Sequence, residues 1–100
     1  MLNDSLLNGV KSVTVQANKF KDVYGNTYHV VKVTVEGQNG TKVYKVSEMT
    51  YGYGTSYLYT AADMLGIDGY IGQYFADNFI PWYEIDHGYG LKRELYDFDQ

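Results

Sequence analysis

The chain has 100 residues, 45% hydrophobic and 17% aromatic, with 20% charged and no cysteine. That composition is too apolar for disorder and supplies one core rather than two. The missing cysteines exclude a disulfide scaffold, a thiolate-ligated zinc site and a thiol nucleophile.

Net charge is -4, unevenly spread. Residues 1–50 carry six lysines against four acids, and residues 51–100 carry Lys92 and Arg93 against eight acids. An acidic chain with one arginine is poorly suited to gripping phosphate backbones, so direct nucleic-acid binding is not expected. The first residues lack a basic stretch followed by a long apolar run, and no segment has the apolar length of a membrane-spanning helix. The expectation is a cytoplasmic protein without a membrane partner.

Residues 1–9 read as a loose lead-in to a single domain spanning 1–100. Val13, Val15 and Ala17 alternate with Thr14, Gln16 and Asn18, which predicts a strand over 10–20 with one wet face. Gly25 and Asn26 make a turn. Val31, Val33 and Val35 then define a second strand over 27–36, with Val30, Lys32 and Thr34 on its other face. Asn39-Gly40 is a strong hairpin signal and leads to a third strand over 41–49. The prediction is a three-stranded antiparallel meander with lysines on its outer faces.

Two glycines in 52–54 break the strand pattern, and Thr55 or Ser56 offers a helix cap. A helix over 56–65 follows, with Tyr57, Leu58, Ala61, Ala62 and Leu65 inward and Tyr59, Thr60 and Asp63 outward. Gly66 ends it. Residues 70–79 read as a second helix that Gly72 weakens and Pro81 stops. Residues 82–86 read as a short strand, 88–90 as a turn, and 91–98 as an additional C-terminal strand. The fold class expected is α+β: the meander packed by one or two helices.

Candidate chemistry is sparse. Gly52, Gly54 and the helix start expose N–H groups to an anion, but the spacing matches no phosphate-loop or dinucleotide signature and no lysine adjoins it. A nucleotide or other small molecule at the 52–56 turn is therefore an alternative reading. His29 and His87 are the general-base candidates near neutral pH, with Asp86 beside His87 as the least improbable acid partner. Neither fits a metal spacing, no serine sits in a nucleophile turn, and no cofactor is implied.

Tyrosine is the anomaly: twelve residues, nine of them after position 50. Tyrosine gives large, rigid contact area at low entropic cost. Tyr51, Tyr53, Tyr59, Trp82, Tyr83, Asp86 and Tyr89 are the candidate partner-binding residues, as an acidic aromatic surface. A homo-oligomer through a strand edge or that surface is a further alternative.

Two stretches bear on kinship. Tyr24-Gly25-Asn26-Thr27-Tyr28-His29-Val30 is one; Thr50-Tyr51-Gly52-Tyr53-Gly54, followed by Tyr57, Thr60, Ala61 and Leu65, is the other. Across residues 10–66 they resemble small uncharacterised proteins encoded by bacteriophages and prophages. That family has no settled activity, so the resemblance carries over no catalytic residues. It implies a context: a non-enzymatic accessory protein in the host cytoplasm that binds and disables or redirects a host protein, such as a defence or nucleic-acid-handling factor.

Overall fold

A computed structural model describes residues 9–52 and 54–98. It is α+β, a mixed sheet of five strands with two helices. The strands are β1 (Val10–Lys21), β2 (Thr27–Gly37), β3 (Lys42–Val46), β4 (Thr50–Tyr51) and β5 (Trp82–Gly90). Helices α1 (Tyr57–Leu65) and α2 (Ile71–Asp77) lie between β4 and β5 in the chain.

The sheet order is β3-β2-β1-β5, with β4 also on β2. β1 and β2 pair antiparallel over their whole length, Val15 opposite Val33 and Ala17 opposite Val31. β3 and β4 both run antiparallel to β2, interrupted at Ser47. Ser47 bridges the gap: its hydroxyl accepts from the Val31 N–H at 2.9 Å, and its own N–H donates to the Val31 carbonyl at 2.8 Å. β5 runs parallel to β1. A parallel neighbour needs a crossover, and the two helices provide it.

Those helices cover one face. Val13, Val15 and Ala17 of β1 and Val31, Val33 and Val35 of β2 meet Tyr57, Leu58, Ala61 and Leu65 of α1 and Ile71 and Phe75 of α2 in one core. The period-two and helical patterns thus converge on the same layer. Gly66, with φ 71°, closes α1 by donating to Asp63. In α2, a Cβ at Gly72 would sit 2.5 Å from the Tyr70 ring, so the glycine admits that ring.

Three expectations are corrected. First, β5 does not stop at Asp86. Between Ala17–Asp86 and Lys19–Tyr89, β5 spends one residue more than β1. Gly88, with φ 78°, absorbs this bulge, so the glycines mark a kink in a continuing strand rather than a turn. Second, residues 91–98 hold no strand; a 3-10 turn, Lys92–Glu94, stands there. Glu94 accepts from the Leu91 N–H at 2.8 Å and Leu95 is buried, so the apparent alternation belongs to a turn with one anchor. Third, the strand lysines are not all on outer faces: Lys19 lies on the helix-covered face, over the Tyr57 ring, and is 6% exposed. The lead-in over residues 1–8 and the partner-binding candidate Tyr53 lie outside the described residues.

Candidate functional site

The sheet has two unlike faces. Under the helices, polar side chains that enter the core layer are matched to one another. Lys19 Nζ lies 2.8 Å from the Asp86 carboxylate, and over the rings of Tyr57 and Tyr89 at 5.6 and 5.0 Å. The Asp86 carboxylate also accepts from the Gly88 N–H at 2.8 Å, holding the bulge. Burial works against its ionisation, but the Lys19 ammonium and the Gly88 N–H outweigh it and hold the carboxyl below its ordinary range.

Tyr57 donates its hydroxyl to Glu84. Burial, reinforced by that hydrogen bond, pushes the Tyr57 phenol well above its ordinary value. His29 is fixed at both nitrogens: Nδ1 donates to the Gly52 carbonyl at 3.2 Å, and Nε2 accepts from the Thr60 hydroxyl at 2.6 Å. Burial pushes this imidazole below its ordinary value. His29 therefore pins β2 to α1 and to the turn before it, and neither nitrogen is left for chemistry. The Gly52 N–H donates to the Thr27 carbonyl at 3.0 Å, so the 52–56 turn spends that donor within the fold.

Among the described residues, no helix covers the opposite face. Strand register writes its layout directly. One row across the sheet is Ile85, Gln16, Lys32 and Val46; the next is Tyr83, Thr14, Thr34 and Tyr44. Polar side chains occupy the two central strands, and apolar or aromatic ones stand on both sides. Thr14, Gln16, Lys32, Thr34, Tyr44 and Ile85 of these rows, together with Lys42 and His87, line a groove of about 460 Å³. A second hollow of about 280 Å³ shares Lys32 and Tyr44 and continues to Val46, Tyr96 and Phe98. Among the described residues, no carboxylate lines either hollow.

The C-terminal segment bounds this face at one end. The Asn18 amide nitrogen reaches the carbonyls of Asp97 at 2.6 Å, Leu95 at 3.1 Å and Glu94 at 3.3 Å. Val30, opposite Asn18, and Leu95 are both buried outside the main core. Beyond them, Tyr51 packs edge-on against Tyr28, which stacks near Phe20.

The residues singled out from sequence scatter over the molecule. Tyr51 and Tyr83 are exposed on the open face. Tyr59 is exposed on the outer side of α1. Trp82 packs partly buried against the core, 5.7 Å from Phe75. Asp86 and Tyr89 surround Lys19 under the helices. His87 donates from Nε2 to the Gln16 amide oxygen at 3.0 Å and turns away from any acid–base pair with Asp86. Sequence reasoning missed Lys32 and Gln16. Their signal was a charge and an amide within two valine-rich strands, each facing the other across the ladder.

Among the described residues no group of three His, Cys, Asp or Glu is placed to hold a metal ion, and no helix is long and apolar enough to cross a membrane. The chain matches no family model, no curated protein and no solved structure.

Proposed function

We propose that this chain is a non-enzymatic binding protein of phage type that docks a host protein on the open face of its sheet. The observation that carries the reading is that face itself. Tyr44, Tyr83, Ile85 and Tyr96 stand exposed around a groove on a sheet surface that, among the described residues, no helix covers. A grouped apolar and aromatic surface with a polar centre is what a docking site requires.

A second surface has its own supporting observation. Residues 57–77 contain Asp63, Asp68 and Asp77 and no lysine or arginine, and Tyr59 stands exposed among them. A basic partner would meet that layer first. The two surfaces lie on opposite sides of the molecule, so variants separate them. Tagged protein is used to capture partners from nuclease-treated bacterial lysate, with Tyr44→Ala/Tyr83→Ala and Tyr59→Ala/Asp63→Asn as matched variants. Loss of the captured protein in the first pair alone supports the open face. Loss in the second alone moves the contact to the helices. Capture abolished by nuclease in the parent protein points to nucleic acid and overturns protein docking.

A further inference from the structure

We propose that the open-face groove contains a site for a small organic oxyanion, centred on Lys32 and Gln16. The inference goes beyond protein docking and stands or falls separately from it.

Lys32, 4% exposed, is withdrawn from solvent slightly more completely than Lys19 at 6%, yet the described residues give it no acid. Its described contact is the Tyr44 ring, 4.7 Å from Nζ. The ion pairs among the described residues are Lys11–Glu36 and Lys19–Asp86, and neither involves it. A buried cation normally carries its counterion with it. No fully buried side-chain nitrogen or oxygen among the described residues lacks a hydrogen-bond partner, and Lys32 makes no hydrogen bond. Its stem is therefore buried while its ammonium opens into the groove.

Gln16, 7% exposed, is the residue directly opposite on β1. His87 occupies its amide oxygen, which leaves the amide NH2 group as a donor on the groove side. An ammonium and an amide donor thus face each other across one rung, with the hydroxyls of Thr14 and Thr34 on the next. Lys42 adds a second positive charge to the same lining. This arrangement suits a phosphate or carboxylate group. The flanks, Tyr44 on one side and Ile85 and Tyr83 on the other, suit a flat apolar portion attached to it. The groove has the volume of an ordinary small-molecule site.

The test is an amide-resolved NMR titration at fixed ionic strength with three probes: inorganic phosphate, adenosine monophosphate and benzoate. The proteins are the parent, Lys32→Met, Lys32→Arg and Lys45→Met. Saturable shifts at residues 14–16, 32–34 and 44 are expected, with a ring-bearing probe binding more tightly than phosphate. Preference for the nucleotide identifies a phosphate ligand, and preference for benzoate a carboxylate. Lys32→Met should weaken binding at least tenfold, Lys32→Arg should retain it, and Lys45→Met should leave it unchanged. Absence of saturable binding by any probe overturns the site, as does parent-like affinity in a folded Lys32→Met protein. Either result leaves the lysate experiment to judge protein docking on its own.

Discussion

Lys19 and Lys32 are lysines of adjacent long strands, both largely buried, on opposite faces of one sheet. Lys19 sits beneath the helices with a carboxylate at 2.8 Å and two aromatic rings around it. Lys32 sits on the open face with one ring and, among the described residues, no acid. The covered face closes its polar groups on one another because a buried charge without a partner is costly. The open face is under no such constraint, since its ammonium still reaches solvent. What looks like one buried residue type is therefore a structural ion pair on one side and an unspent binding group on the other.

The largest test of this contrast lies in the packing. Phe75→Ala empties a fully buried site between α2 and the sheet and should cost about 3–5 kcal/mol in urea unfolding. Tyr44→Ala on the open face should cost no more than about 0.5 kcal/mol, as exposed substitutions do. Comparable losses at both positions would mean that the open face is also core.

Next come the two lysines. Asp86→Asn strips Lys19 of its carboxylate and should destabilise by about 1–2 kcal/mol, less than breaking a fully buried pair costs, because the Asp86 side chain is 41% exposed. Lys32→Met removes a charge that has no acid to leave behind, and should be neutral or slightly stabilising in the absence of ligand. A large loss from Lys32→Met would show an internal role and break the comparison. Gly52→Ala should cost about 1–3 kcal/mol, since a Cβ there meets Ser56 Cβ at 2.9 Å and His29 Cε1 at 3.2 Å.

The pH dependence is the smallest effect and carries a definite sign. His29 is held below its ordinary value of 6.5, so the folded state favours the neutral ring. Its contribution is fully present above pH 6.5 and is lost as pH falls from there through the depressed value. Asp86, also held low, adds a further loss as pH falls below 3.8. Tyr57, held high, contributes below pH 10 and loses that contribution as the solution becomes more alkaline. Chemical denaturation from pH 8 to 5 should show falling stability in the parent protein and a flatter profile in His29→Asn.

Much of the fold was legible because local pattern and final environment agree. The alternating valines of β1 and β2 give both strand limits and the core face, and Asn39-Gly40 marks the hairpin, with Gly40 at φ 85°. The α1 stripe faces the valines, as its spacing requires. The parallel placement of β5 beside β1 was not legible, because nothing local records which strand a distant segment will join. Gly88 and Gly90 misled for a related reason: a glycine at a bulge and a glycine in a turn look alike in sequence.

The site was legible least. Grouping tyrosines by nearness along the chain placed Tyr51, Tyr59, Trp82 and Asp86 together. Strand alternation and helix rotation then sent them to different sides of the molecule. Lys32 read as the wet side of a strand, since sequence does not show that neighbouring side chains bury its stem.

The most direct measurement of the central contrast is a side-chain NMR experiment on the lysine Nζ groups during titration with adenosine monophosphate and, separately, benzoate. The Lys32 resonance should move saturably with at least one of them while the Lys19 resonance, held by Asp86, stays in place. Movement of Lys19 alongside Lys32, or a Lys32 resonance that never moves, would contradict the distinction between a closed face and an open one.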